Sequence, residues 1–464
     1  MRSTHRARWL RIAAALWAYP IASGVAAEPS PAAAPAPPAE PSAAPAPAEP
    51  SAAATATERL GVEEVLRLAL SSHPSLEAVR AQASAADEQS KSARGRLLPV
   101  ISVHDEYQHW DSPFAIGFNG APPITAREQD TNAFTAAASQ PLLGLLGRIQ
   151  DHAARVSGAQ ARAVETEVAE ASMREEIQTQ YLRLFEARAL RQVAQASQAE
   201  LSQQVSNTAV KVKAGTLTNA DLLRVQVALS NARQQEIIAV TSETVARASL
   251  LSAIGRSPDD VSLEFIEPTQ LLEQSQKPVA SARLTPEQRP EVRSAALQAE
   301  VAHHDERSHF YALLPQIDVN AAYQRVDGQV FAPKNAAFVG IRADWPVFEW
   351  GTTAAAHSAA QQGEVAARAN VEAARRRAVA ELSIRRAQLA AAASEVGLAR
   401  ESVGSAAEAY RVTAAVVKVG SGTTTDLLDA QSSLTLARLN LAHSEYERAI
   451  AFVQLERAAG APAR

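Results

Sequence analysis

The 464-residue chain contains no cysteine. It therefore has no disulfide to brace an exported fold, no thiol nucleophile, and no residue to carry a lipid anchor near its N-terminus. No run of 18 apolar residues occurs after residue 27, which excludes a transmembrane helix. That absence leaves a β-barrel open, because barrel strands need only about ten alternating residues. The formal net charge is −5, too mild to single out a polyanion such as nucleic acid as a partner. Proline is missing from 145–213 and again from 352–418, and aromatic residues make up only 5% of the chain. No Gly-rich phosphate loop follows a strand, and no Ser-His-Asp set stands in a supporting context. The expectation is a non-enzyme without a cofactor, whose energy for any transport comes from a partner.

The N-terminus carries Arg2, Arg6, Arg8 and Arg11 before a short apolar run, Ile12–Ala18, and a small-residue site at Val25-Ala26-Ala27. Residues 1–27 read as a secretory signal peptide. Residues 28–57, almost all Ala, Pro, Ser and Glu, cannot bury enough apolar surface to fold and read as a flexible tether.

The rest is written twice. KAGTLTNADLLRVQVALSNAR (213–233) and KVGSGTTTDLLDAQSSLTLAR (418–438) lie 205 positions apart and share ten of 21 residues. LLPVISVHDEYQ ends at Gln108 and LLPQIDVNAAYQ at Gln324, an offset of 216, while QPLL (Gln140) and WPVF (Trp345) return to 205. The eleven-residue difference falls in the segment SPFAIGFNGAPP, which marks an exposed loop tip. The expected units are a first repeat at 58–255, a joining segment at 256–284 and a second repeat at 285–460.

Within each repeat two segments alternate with period two. Ile317, Val319, Ala321 and Tyr323 oppose Gln316, Asp318, Asn320 and Gln324; Val339, Ile341, Ala343 and Trp345 oppose Gly340, Arg342 and Asp344. Such segments predict strands with one apolar face, four per chain. The proline-free runs predict very long helices, on the order of 100 Å, returning in antiparallel pairs. Gly215 and Gly420 are placed to end them as left-handed caps, and Thr218–Asp221 and Thr423–Asp426 to start the returning helices. After residue 27 the tryptophans are Trp110, Trp345 and Trp350, all beside strand segments. Thirteen of 19 aromatics after that point lie in 99–141 or 310–350. Aromatics at strand ends suit the two interfaces of a membrane barrel, although strand propensity also enriches them. Four strands cannot close a barrel and open edges are not tolerated in lipid, so several chains must contribute.

The order of these features, GVEEVLRLALSSHPSLEAVRAQ, LLP, QPLL or WPVF, and G-x-x-T-x-x-D-L-L, resembles the TolC-type outer-membrane efflux factors from about Glu58 to Ala459. The resemblance implies a mostly α fold with a β-barrel portion. Three chains of four strands each would form a twelve-stranded outer-membrane barrel, continued by an α-barrel of duplicated long-helix hairpins in the periplasm. It implies a passive exit duct of a tripartite system, with a periplasmic adaptor and an inner-membrane pump as partners. The adaptor-contact tips fall on Gly215, Thr216, Leu217 and Thr218, and on Gly420, Ser421, Gly422 and Thr423; the pore constriction falls on Asp426 and Asp429. In the family's best-known member a basic residue two after the second tip glycine helps lock the closed tunnel; here that position is Gly422. Asp426 is matched in the first repeat by Asp221, so a helix-start role explains both, whereas Asp429 is matched by Arg224. The run HHDERSH (303–309) lacks HExxH spacing; Asp305 and His309 could chelate an ion, but a solvated helix face explains the run, and no metal site is expected. The other reading of the repeats is a secreted coiled-coil scaffold or adhesin without a pore.

Overall fold

The structure is a computed structural model. It describes residues 58–117, 119–120, 122–260, 262–277 and 286–460; the expected signal peptide, the tether and Phe118 lie outside the described residues. The chain begins with β1 (Glu58–Leu60), α1 (Val62–Ser72), α2 (Pro74–Gly95), β2 (Val100–His109), β3 (Phe114–Ile116), β4 (Ile124–Pro141), α3 (Gly144–Lys213) and α4 (Asn219–Ala253). It continues with β5 (Leu263–Phe265), α5 (Thr269–Gln276), α6 (Pro290–Tyr311), β6 (Gln316–Gln329), β7 (Asn335–Asp344), α7 (Thr352–Lys418) and α8 (Thr424–Ala458).

Local chemistry sets the boundaries. Pro74 and Pro290 open α2 and α6 at the first helical turn, where a missing N–H costs nothing and φ is already helical. Pro99 and Pro315 follow these helices, cannot continue them, and deliver the chain extended into β2 and β6. The helices α3 and α7, 70 and 67 residues long, each reach about 100 Å at 1.5 Å per residue.

The two long helices are flanked by shorter ones laid end to end. α3 packs against α2 and α4 on one side and against α6 and α8 on the other; α6 and α8 also pack against α7. The lateral order is thus α2/α4, α3, α6/α8, α7. The long strands follow the same order, β2-β4-β6-β7, all antiparallel. This agreement is built into the chain: α2 leads into β2, β4 into α3, α6 into β6 and β7 into α7. The result is a wall four elements wide with a sheet at one end. β2 and α2/α4 form one raw edge, and β7 and α7 form the other.

Burial follows that order. On the inner helix α8, 16 of 35 residues are buried; on the edge helices only five of 35 are buried in α4 and three of 67 in α7. Apolar side chains remain exposed along both edges, including Ile237, Ile238 and Val245 of α4 and Val365, Ile384 and Leu398 of α7.

The main core lies at the waist. The parallel pair β1–β5, with α1 and α5, covers the middle of α3 and the last turns of α8 through Leu66, Ile177, Tyr181, Leu250, Phe265 and Val453. The hydroxyl of buried Tyr181 reaches the carbonyls of Leu60 (3.1 Å) and Ile266 and so ties both strands to α3. Beside this core an ionic cluster joins four elements. Arg289, ahead of α6, pairs with Glu381 of α7 (2.8 Å) and Glu291 of α6 (3.2 Å), and Arg457 of α8 reaches Glu175 of α3 (3.1 Å) and the same Glu381 (3.3 Å).

The expected inserted loop differs in one respect. Part of SPFAIGFNGAPP folds back as β3 on an extended β4, with a register shift between Phe114 and Ala115. Alternation of Phe114 and Ile116 about a small residue suits such an edge pairing. A second irregularity between Arg127 and Asn132 of β4 is accommodated by Gly328, whose φ is +83°. A Cβ there would stand 2.2 Å from the Asp130 carbonyl oxygen, so only glycine fits.

Candidate functional site: an apolar sheet face and two helical tips

Directly paired residues of an antiparallel sheet share a face, so the strand register assigns each side chain. One row runs Ile101–Ala138–Ala321–Val339, and the next Val103–Ala136–Tyr323–Ala337. Gln140–Val319–Ile341 continues the same face. The opposite face carries Ser102, His104, Glu106, Gln108, Thr135, Asn320, Gln324 and Arg342. The apolar face is open: Val339 is 79% exposed and Ile341 74%. A band of this kind across four strands, with nothing among the described residues covering it, requires an apolar surrounding.

Aromatic residues border the band. At the helix end, Trp345 continues the apolar face of β7, and Phe348 stacks edge-on against Trp350 at 4.7 Å. Trp350 and Gly351 are both left-handed (φ +55° and +78°), which swings the chain into α7 and leaves the Trp350 indole 88% exposed. A bulky residue held at positive φ is a costly conformation. At the far end the band is bordered by Tyr107, Phe134 and Tyr323, whose phenols donate to Asp130 (2.6 Å) and Asn335 (2.8 Å) in the case of the two tyrosines. Trp110 lies at that end too, but the register puts it on the polar face. Its indole N–H donates to Thr131 (3.2 Å), and the Arg127 guanidinium covers its ring at 3.6 Å. Period-two counting from Tyr107 gives that placement; a tally of tryptophans does not.

The two tips are built alike. Gly215 and Gly420 adopt φ +75° and +83°. Gly215 N–H donates to Val212 and Thr216 N–H to Lys211; Gly420 donates to Val417 and Ser421 to Val416. Each tip thus closes its long helix with a paired 5→2 and 6→1 bond pattern. Each then opens the returning helix with a reciprocal cap: Thr218 with Asp221, and Thr423 with Asp426, side chain to backbone in both directions at 3.1–3.2 Å. The threonine hydroxyls also donate to the carboxylates, Thr218 to Asp221 at 2.6 Å and Thr423 to Asp426 at 2.7 Å, and these bonds, followed by those from the threonine backbone N–H, hold the Asp221 and Asp426 carboxyls below the usual aspartate range.

The tips differ in what they display. Tip one carries Lys211, Lys213 and Arg224, the last 3.4 Å from Asp221; Leu217 is half-buried. At tip two the position matching Leu217 is Gly422. A Cβ there would meet Val417 Cγ2 at 2.8 Å and Val416 Cγ1 at 3.3 Å. Any side chain there would have to displace these valine methyls. Asp429 lies one turn beyond Asp426 on the exposed face of α8, with Ser432 and Leu436, and has no side-chain partner among the described residues. Asp426 is committed to its cap; Asp429 is free for another role.

Asp305 and His309 stand 3.9 Å apart on an exposed face of α6. His303 turns instead toward α7, 2.9 Å from Glu364. No described helix is long and apolar enough to cross a membrane.

An apolar-faced sheet on a wall of long helices, with matched raw edges, defines the class as a mostly helical protein whose small sheet calls for an apolar surrounding. The chain belongs to the outer membrane efflux protein family, whose profile matches residues 65–256 and 283–461. Among solved structures, the fold matches the outer membrane protein VceC of Vibrio cholerae at a TM-score of 0.75 and 16% identity, over 86% of this chain and 96% of that one. The outer membrane channel MtrE of Neisseria gonorrhoeae, solved in its open state, matches at 0.72 and 20% identity, over 86% and 88%. The CmeC outer membrane channel of Campylobacter jejuni matches at 0.72 and 17%, over 86% and 85%. No curated protein matches the chain significantly in sequence.

Proposed function

We propose that this chain is the outer-membrane exit duct of a tripartite export system. Three copies close into one tube, with β7 and α7 of each copy meeting β2 and α2/α4 of the next. Four strands per copy make a twelve-stranded barrel whose apolar face meets lipid and whose polar face lines the pore. The helices project into the periplasm, and the two tips of each copy give six similar docking points for an adaptor that links to an inner-membrane pump. Asp426 and Asp429 of three copies ring the narrow end with six carboxylates. The duct itself is passive.

The observation that carries this reading is the coincidence of the two raw edges in sheet and helices. A heterologous contact between such edges closes into a ring or runs on as an open filament. The apolar sheet face and the family assignment favour closure within a membrane. A poreless coiled-coil scaffold is not supported, because it would leave that face in water. The repeat boundaries follow the same logic: β5 and α5 precede α6 as β1 and α1 precede α2, which supports starting the second repeat at β5, inside 256–284. The test is the native mass of the full-length chain purified in detergent. Three copies per particle are expected; a stable monomer would refute the closed barrel.

A further inference from the structure

The helices α6 and α7 meet through reciprocal imidazole–carboxylate contacts. His303 Nδ1 of α6 lies 2.9 Å from Glu364 Oε1 of α7, and His357 Nε2 of α7 lies 3.7 Å from Glu306 Oε1 of α6. The spacings are helical on both sides. His303 and Glu306 are three apart, and His357 and Glu364 are seven apart, so each pair shares a face.

We propose that His303, Glu306 and Glu364, completed by His357, bind one divalent transition cation of the zinc type and clamp α6 to α7. One ligand atom from each of the first three lies within 4.8 Å of the others. A tetrahedral site with bonds of about 2.0–2.1 Å sets its ligands roughly 3.4 Å apart. The observed 2.9 and 3.7 Å straddle that spacing, so small side-chain rotations make room for the ion.

Charge makes the same case. The Glu306 and Glu364 side chains are 16% and 15% exposed, and that of His357 is 15% exposed. Two largely buried carboxylates this close repel one another unless a proton or a cation lies between them. Among the described residues Glu306 has only the 3.7 Å contact with His357. Glu364 has Arg368 at 2.5 Å, but that side chain is exposed and free to withdraw into solvent. The donor set is imidazole and carboxylate without thiolate, which suits zinc and its neighbours and not a soft monovalent ion.

A second triad, Glu186, His443 and Glu447, looks similar but already holds its cation. Arg183 reaches Glu186 at 2.7 Å and Glu447 at 2.5 Å. In the α6–α7 cluster the nearest guanidinium, that of Arg368, is 70% exposed and reaches Glu364 alone, leaving Glu306 without a cation other than His357 among the described residues. Its position gives the ion a mechanical role, because α6 enters and α7 leaves the β6–β7 hairpin. A clamp there fixes the joint between sheet and helices. This inference stands independently of the duct reading.

The test uses the full-length chain in detergent, stripped with chelator and titrated with Co²⁺ and then Zn²⁺. One Co²⁺ per chain with a tetrahedral visible band, displaced by Zn²⁺, is expected. His303→Gln, which keeps a polar group facing Glu364, should weaken binding about tenfold or more. Glu306→Gln with Glu364→Gln should abolish the band, while His309→Gln should leave it unchanged. Each variant is compared with the parent in its metal-free thermal transition, so misfolding is seen directly. Absence of saturable binding overturns the proposal, as does undiminished binding by His303→Gln. Loss of binding in His309→Gln alone would also overturn it, by placing the ion on the exposed Asp305–His309 pair.

Discussion

Replacing Arg289 by leucine tests how the waist is held together. The Arg289 side chain is 6% exposed and lies 2.8 Å from Glu381 and 3.2 Å from Glu291. Burial alone disfavours its charge, but the two carboxylates outweigh it and hold the guanidinium above its ordinary pKa. Removing one partner of a buried ion pair costs about 3–5 kcal/mol, because the remaining charge is stranded. Here the loss is smaller, since Glu381 and Glu291 are about a third exposed and Arg457 still reaches both, at 3.3 and 3.5 Å. About 2–3 kcal/mol per chain is the reasonable magnitude. Unfolding entropy of about 2.1 cal/mol/K per residue over roughly 400 ordered residues gives ~0.8 kcal/mol/K, so Tm should fall by about 2–4 °C. Differential scanning fluorimetry of the detergent-solubilised protein measures this. The control is Arg411→Leu, which breaks an exposed pair with Glu408 at 2.6 Å and should shift Tm by nothing measurable. Equal shifts for the two variants would show that the ionic cluster is ornamental.

Changing Asp426 and Asp429 together to alanine should raise single-channel conductance and weaken cation preference in planar bilayers; an unchanged channel would remove both residues from the constriction. Asp429→Ala alone should alter selectivity without loosening the tip, since its carboxylate makes no cap, whereas Asp426→Ala should also speed proteolysis at 419–423. The caps are pH-dependent with a defined sign. The folded-state pKa values of Asp221 and Asp426 are depressed, so their contribution is complete above the unfolded aspartate range and lost as pH falls through the folded values, below about 4. Limited proteolysis at graded pH should show both tips intact at pH 5 and opening only in stronger acid; tips that open at pH 5 would contradict the cap assignment. Gly328→Ala should fail to insert or assemble, because its Cβ would stand 2.2 Å from the Asp130 carbonyl oxygen; normal assembly would mean that the β4–β6 irregularity is dispensable.

The periodic features were legible in the sequence because each has a local cause. Unbroken helical spacing without proline predicts 145–213 and 352–418, and the helices run 144–213 and 352–418. Period-two alternation predicts the faces of β6 and β7, and the register reproduces them. The tip caps were legible because glycine and Thr-x-x-Asp act over a few residues. What long-range packing decides was not legible. The fold-back of β3 and the tight packing around Gly422 depend on neighbours remote in sequence or on three-dimensional clearance. The cation cluster was hidden for the same reason. HHDERSH draws attention to Asp305 and His309, but the partners of His303 and Glu306 come from α7, over 50 residues away.

The most direct test of the account is cross-linking between the raw edges of the sheet. The chain has no cysteine, so an introduced pair is the only one present. Ser102 of β2 lies on the polar face, as do Ala336, Phe338 and Gly340 of β7. Ser102→Cys combined in turn with cysteine at each β7 position should, in one register, give a denaturant-resistant species of three copies in outer-membrane fractions, and nothing larger. Cross-linking that climbs beyond three copies, or that fails in every register, would contradict a closed three-chain barrel.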